Sequence, residues 1–238
     1  MRIEHAPAGL DRKVMAIMTN RDQVLQRITK ALGRQKQTVP TIDDLPQSIR
    51  ERINLRPRST LPAVADELSE ALIKQMEAAL MSVVRLQSVG DCASAVDWYL
   101  ESQNINVSDA QSIRVAPEIS SLGWPSLYSS GRASGAEKVS ITPCLAAVAE
   151  TGSIVTRSGV GTPSTLNFLP ETHIVLLYES QIVRHVDDVF DLLRKSDQLP
   201  RAVNFLTGPS RTADIEQTLE IGAHGPRRMH ILLIAGSP

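Results

Sequence analysis

Cysteine is nearly absent from this chain: Cys92 and Cys144 are the only two. An iron–sulfur cluster normally takes four thiolate ligands, so the chain alone does not supply one. The same scarcity excludes a CxxC redox motif, a cysteine-rich zinc site and a disulfide-built scaffold. Aromatic residues are also scarce at 3%, and none occurs in residues 1–97. A base-stacking platform for nucleic acid is therefore missing from that part of the chain. No segment approaches the ~20 consecutive apolar residues of a membrane-spanning helix. The opening run MRIEHAPAGLDRKVMAI has an early acid, Glu4, and no apolar core, so it does not read as a secretory signal. It also lacks helical periodicity, and residues 1–17 are expected to be a disordered lead or an over-extended start. Motif absences are equally informative. There is no GxGxxG, Walker or GxSxG pattern, and Gly159-Val160-Gly161 lacks the third glycine. The histidines at 5, 173, 185, 224 and 230 form no HxH or HExxH, and only His173, His224 and His230 stand late in the body with acids nearby. No metal site is expected.

What remains is an ordinary globular composition. The chain has 238 residues, is 42% hydrophobic and carries 13 glycines, enough for one α/β domain with an appendage. Its profile suits a reducing compartment, and a cytoplasmic location is expected. The net charge of −1 argues against nucleic-acid binding, but its distribution is uneven. Residues 1–58 hold 12 Lys+Arg against 6 Asp+Glu, and the remainder holds 13 against 20. The basic segment reads as a solvated arm that touches the acidic body or a partner.

Periodicity organises the chain. Asn20 and Gln23 read as a capping pair and Gly33 as a stop, with Val24, Ile28, Ala31 and Leu32 on one helical face. Residues 34–61, with Pro40, Pro46 and Pro57, read as a connector with a short helix at 46–53. Val64, Leu68, Leu72, Met76 and Leu80 then predict a long amphipathic helix. Residues 18–81 are thus expected to be a helical arm and linker, and 82–238 the α/β domain. In the domain, strands are expected at 82–87, 113–116, 138–142, 154–156, 173–178, 203–206 and 229–235. Helices are expected at 91–102, 184–195 and 211–221, and loops at 126–135 and 157–165. Strands alternating with helices predict βαβ units, hence an α/β fold with a mostly parallel sheet covered on both faces.

Chemistry concentrates in two runs. The first is Val203–Pro226, where an apolar strand enters Gly208-Pro209-Ser210 and a helix is expected at once. Free N–H groups at that helix start would favour an anion, with Arg211 adding a positive fork and Ser210 and Thr212 either capping or contacting the ligand. Asp214 and Glu216 suit the helix dipole but would repel a phosphate facing them. A purely structural reading stays open: Ser210 or Thr212 caps, Arg211 pairs with Asp214 or Glu216, and Gly222 ends the helix. His224-Gly225-Pro226 would fill the tight connection to the last strand, where a lone histidine needs a partner to act. The second run is Glu150-Thr151-Gly152-Ser153, a carboxylate and two hydroxyls beside a glycine. It too is open to a bland reading, a turn in which Thr151 bonds the backbone.

These runs carry a resemblance. GPSRTADIE at 208–216 and GAHGP at 222–226 resemble the signature of LUD-domain proteins, more narrowly the lactate-utilisation protein C (LutC/YkgG) group. AETGS at 149–153, LPETHI at 169–174 and the Asn20–Gly33 helix are similar to further stretches of that family. The resemblance is dense over 138–235 and thin over 34–137. Ala223 and the 17 leading residues depart from it. It implies a three-layer sandwich like the NagB/RpiA/CoA-transferase group and a part in bacterial L-lactate oxidation to pyruvate. It also implies iron–sulfur partner proteins and no cofactor on this chain. The expected ligand pocket comprises Thr151, Gly152, Ser153, Gly208, Ser210, Arg211, Thr212, Asp214 and Gly225, holding a small carboxylate or phosphate. Glu150 and His224 are the candidates for acid–base work, although the motif assigns no general base. Two other readings stay open. One is a stand-alone acyl- or phospho-transferring or isomerase-type enzyme using Glu150; the other is a structural adaptor. Homo-oligomerisation is left open.

Overall fold

The computed structural model describes residues 20–32, 41–55, 60–107, 112–196, 199–213, 219–222 and 224–238. The expected lead at 1–17 lies outside these, as do Asp214 and Glu216. The chain divides into two units, Met1–Pro57 and Arg58–Pro238. The first contains α1 (Asn20–Ala31) and α2 (Gln47–Leu55), separated by a single turn at Ile42–Asp44. That turn is closed by the Thr41 N–H and hydroxyl, which both donate to Asp44 Oδ2 at 2.7 and 2.8 Å. The periodic apolar side chains of α1, among them Val24, Ile28 and Leu32, are exposed, as are Ile49 and Ile53 of α2.

The second unit opens with α3 (Leu68–Ala78), β1 (Ser82–Leu86), α4 (Cys92–Ser102), β2 (Ile113–Val115) and β3 (Ser129–Ser130). Next come β4 (Val139–Pro143), β5 (Ala146–Val148), β6 (Ser153–Arg157), α5 (Thr165–Phe168), β7 (Thr172–Tyr178) and β8 (Ile182–Val183). It closes with α6 (Val186–Arg194), β9 (Val203–Leu206), β10 (Arg211–Ala213), β11 (Leu219–Ile221) and β12 (Arg228–Ile234). Six strands form a wholly parallel sheet in the order β1-β12-β7-β4-β2-β3. Its central strands β7 and β12 are near-continuous apolar runs because both faces are covered. The fold is therefore α/β with a mostly parallel sheet.

Side-chain alternation assigns each face. Ile174, Leu176, Leu232 and Ile234 pack with Val96, Tyr99 and Leu100 of α4. The intervening Val175, Leu177, Ile231 and Leu233 pack with Leu72 and Met76 of α3 and with Ala147 and Ile154. Those last two belong to a second sheet, β8-β5-β6-β9, whose β5–β6 and β6–β9 pairs are antiparallel. Its other face, Ala146, Val148 and Val155, meets Val189 and Leu193 of α6. The small side chains of β5 let two sheets and a helix stack closely.

Three expectations are corrected. The arm was expected to run to residue 81, yet α3 belongs to the larger unit, because Leu72 and Met76 are completely buried in its core. The long helix from Val64 starts only at Leu68. The Val64 and Ala65 carbonyls accept from Arg184 Nη1 at 2.7 and 3.3 Å and so are taken from any helical ladder. It ends before Leu80, which turns to φ +65° and is exposed, while Met81 N–H closes back on the Met76 carbonyl at 2.9 Å. The helix expected at 211–221 is replaced by strands at its described ends: Arg211, Thr212 and Ala213 pair antiparallel with Ile221, Glu220 and Leu219. The flanking backbone is committed elsewhere, with Ser210 N–H donating to Pro226 O at 2.8 Å and Gly222 N–H to Ser210 O at 2.9 Å. The connection at 224–226 thus joins two strands.

One buried carboxylate ties β2 to the approach of β4. Glu137, 3% exposed, accepts from Arg114 Nη2 at 2.8 Å and from the Ser134 and Gly135 N–H groups at 2.8 and 3.0 Å. Burial pushes its pKa up, but the Ser134 N–H, Arg114 and the Gly135 N–H outweigh this and hold it at about 2.

Two predictions follow from this packing. Met76→Ala removes a fully buried side chain and should cost about 2–5 kcal/mol by urea denaturation, whereas Ile49→Ala on α2 should leave the transition of the larger unit unmoved. Glu137 is depressed in the folded state, so its stabilisation is complete above pH about 4.5 and lost as pH falls towards 2. Glu137→Gln should lower stability at neutral pH and flatten the melting-temperature profile across that acid window.

Candidate functional site

The Glu150–Ser153 run forms the β5–β6 turn. Gly152 closes it with φ +70° and donates its N–H to the Val148 carbonyl at 2.9 Å. Glycine is required here because a Cβ would lie 2.8 Å from the Gln75 backbone carbon and 2.9 Å from Met76 N. The turn is held against the end of β8, with Ala149 and Glu150 N–H groups donating to the Val183 and Arg184 carbonyls at 2.9 and 3.1 Å. This registration sets Glu150 Oε2 at 3.1 Å from His185 Nδ1. His185 is buried, and its own N–H donates to Asp188 Oδ2 at 2.9 Å as α6 begins. A carboxylate on Nδ1 fixes ring orientation and favours proton-transfer chemistry at the other nitrogen.

A chain of hydroxyls leaves the same turn. Thr151 Oγ1 lies 2.7 Å from Ser153 Oγ, which lies 2.7 Å from Thr207 Oγ1 at the end of β9. Ser153 is buried, so its hydroxyl is satisfied within this chain. Next along, Gly208 adopts φ +102°, and a Cβ there would clash with the Ala79 carbonyl oxygen. The two candidate runs therefore meet through Ser153–Thr207, and both press a glycine against the last turns of α3.

The other expected residues are placed as follows. Ser210 is beside Gly225, where an added Cβ would approach the Ser210 Cβ to 3.3 Å. Arg211 is an exposed strand residue of β10 opposite Ile221, so no helix dipole assists it. Thr212 stands opposite Glu220 in the same hairpin, and Asp214 lies outside the described residues. His224 is exposed. The structure thus brings Thr151, Ser153, Gly152 and Gly208 together, and Ser210 with Gly225, but shows no partner for His224 among the described residues.

His185 was missed by the sequence reading. It stands 35 positions from Glu150 and is brought back only by β8, a two-residue strand without a periodic signal. Its one local signal is the start of α6, His185-Val186-Asp187-Asp188, where acids follow in the first turn. A second missed region lies beyond the ends of β2 and β6. There a cavity of about 350 Å³ is lined by Glu118, Arg157, Ser158, Gly159 and Thr162. Glu118 and Arg157 face each other across it at 3.8 Å. Crevices at carboxyl ends of parallel strands are common ligand sites. The nearby Cys144 is no nucleophile, because burial pushes its thiol up to about 12. Burial, with the Asp91 charge adding, raises Cys92 to about 11.

Gly208→Ala is expected to lower the melting temperature more than Gly236→Ala. Both have positive φ, at +102° and +86°, but only 208 abuts another backbone. The difference should be about 1–3 kcal/mol by chemical denaturation.

Comparison with known proteins covers the same ground. Residues 131–234 match the LUD domain. A protein named "Lactate utilization protein C" from Exiguobacterium sp. is 29% identical, covering 91% of this chain and 96% of its own. "Uncharacterized protein YkgG" of Escherichia coli is 26% identical over 91% of this chain and 99% of its own. A further Lactate utilization protein C, from Bacillus pumilus, is 40% identical over 37% of this chain and 38% of its own. Among solved structures, a DUF162 family protein from Deinococcus radiodurans superimposes with a TM-score of 0.56 at 22% identity, covering 74% of this chain and 100% of that one. That likeness supports the fold. Residues 131–234 thus match the LUD domain, and the chain is similar over most of its length to proteins named Lactate utilization protein C.

Proposed function

We propose that this chain serves lactate utilisation as a cluster-free subunit or accessory protein of a system that oxidises L-lactate to pyruvate. The observation that carries this reading is the relationship to proteins of that name across 91% of the chain. Iron–sulfur partner proteins carry the electrons in this reading. The placement of the cysteines supports it: Cys92 packs with the α4 face of the main sheet and Cys144 with the α3 face, so they cannot jointly ligate one cluster. Among the described residues no helix is long and apolar enough to cross a membrane, which accords with a cytoplasmic setting.

The ligand in this reading is a small carboxylate or phosphate near the meeting of the β5–β6 and β9–β10 turns. Thr151, Ser210 and backbone N–H groups would supply donors there, and Arg211 the compensating charge. The expected pocket also contains Thr212, Asp214 and Gly225. A second reading, acid–base catalysis by this chain itself, is favoured by the 3.1 Å Glu150–His185 pair.

Deletion of the chain should abolish growth on L-lactate while leaving growth on pyruvate intact, and tagged chain should co-purify iron–sulfur proteins. Arg211→Ala should weaken lactate-dependent growth without lowering the melting temperature. Wild-type growth on lactate after deletion would overturn the subunit reading. Glu150→Gln that leaves co-purification intact but stops growth would favour the catalytic one.

A further inference from the structure

A cavity of about 490 Å³ opens at the amino ends of β1 and β12, beside the last turns of α4. Its volume falls in the range of small-molecule sites, about 300–1,000 Å³. Arg227 and Arg228 line it, and no carboxylate does. Neither guanidinium has an ion pair with a described carboxylate, whereas Arg85, Arg114, Arg157, Arg184 and Arg194 all do. The carbonyl end of α4 contributes about half a negative charge at one rim, against two full positive charges. The field in the cavity is therefore positive.

The rest of the lining suits a flat ring. Trp98 presents an indole that is 62% exposed, unusual for tryptophan on the surface of a folded unit. Behind it the Tyr99 and His230 rings stack, centroids 3.9 Å apart and planes within 8°. His230 is held by Ser82, with Oγ to Nδ1 at 2.8 Å, while its Nε2 is buried without a partner among the described residues. Burial keeps His230 neutral, with its pKa lowered to about 4. A buried ring nitrogen without a partner is costly, and a ligand group that hydrogen-bonds to it would remove that cost. Ser82 and Ser102 add hydroxyls to the wall.

Glycine chemistry ties this cavity to the GAHGP run. Gly222 has φ +89°, and a Cβ at that position would collide with the Cγ of Arg227. The stem of Arg227 thus lies across a residue that must be glycine. Its backbone is fixed as well, with Arg227 and Arg228 N–H groups donating to the Glu171 carbonyl at 2.7 and 3.1 Å. Two adjacent guanidinium-bearing residues are anchored on one carbonyl at the cavity mouth.

The geometry points to a nucleoside-phosphate site: a planar base against Trp98, and the phosphates on Arg227 and Arg228. A three-carbon acid would satisfy the arginines but leave most of the volume and the indole unused. This inference is independent of the lactate reading and of the Glu150–Ser210 turns.

The test uses the full chain and ADP, with adenosine and inorganic pyrophosphate as separate part-ligands, followed by calorimetry and tryptophan fluorescence. ADP should bind with one-to-one stoichiometry and quench fluorescence, and each part-ligand should bind at least about tenfold more weakly. Arg227→Ala and Arg228→Ala should each weaken ADP by about tenfold, a loss typical of one charged hydrogen-bonding partner. Trp98→Ala should weaken it and remove the quench, since the other tryptophan, Trp124, is half-buried and bonded to the Ile119 carbonyl at 2.7 Å. Gly222→Ala should reproduce the Arg227 loss. Arg227 and Trp98 are exposed, so those variants keep the fold even if Arg228→Ala does not. No heat with ADP at millimolar concentration would overturn the site, as would unchanged affinity in Arg227→Ala. Pyrophosphate binding as tightly as ADP would overturn the base subsite. ADP binding lost with Arg211→Ala, and kept in Arg227→Ala, would move the ligand to the other turn.

Discussion

The packing of α3 against two glycine turns is the constraint from which most of this structure follows. Leu72 and Met76 bury one face of the helix under the main sheet. The backbone beyond that face touches Gly152 at Gln75–Met76 and Gly208 at Ala79. A helix can approach a sheet margin this closely only where the facing residues lack Cβ atoms and turn into positive φ. Both do. The close approach then fixes where the β5–β6 turn sits, and that turn fixes Glu150 against His185. The Arg184 clamp on Val64 and Ala65 holds the helix entrance from the same side. The Glu150 and Ser153 side chains are thus positioned by a packing requirement.

This changes the physical meaning of the family-like motifs. Gly208 was weighed as the mouth of an anion-binding helix start, but the following residues are extended and pair with β11. The glycine is needed for α3, and the anion reading rests on hydroxyls, turn N–H groups and Arg211 without a helix dipole. Gly222, weighed as a helix stop, instead makes room for Arg227. Glycines in a motif can mark what must come close from elsewhere in the fold, as much as what binds a ligand.

The main sheet was legible because its strands carry a strong signal. His173–Tyr178 and Met229–Ala235 are apolar on both faces, and each matches β7 or β12 to within a residue or so at either end. The helices at 91–102 and 184–195 were equally readable from their periodicity. The second sheet was legible only in part: the strands expected at 154–156 and 203–206 are β6 and β9, but β5 and β8 went unseen. Ala146–Val148 is three small residues and Ile182–Val183 only two, too short to show a period, and their pairing is decided by packing on α6 and α3. The 211–221 error has the same origin. Its local composition suits a helix start, but Ser210 and Gly222 spend their backbone groups on each other and on Pro226. Long-range hydrogen bonds outvoted local preference. For the same reason Glu150 was visible as a candidate and its partner His185 was not.

The two cysteines sharpen the functional question. They lie in separate core clusters on opposite faces of the main sheet, and both thiols are held protonated at neutral pH by burial. Neither acts as a nucleophile or contributes with the other to a shared cluster. The positive, ring-walled cavity at Arg227 and Arg228 suits binding, and the Glu150–His185 pair suits proton transfer. Gly208 meets Ala79 of α3 near the Glu150 turn, and Gly222 lies against the Arg227 stem at the cavity.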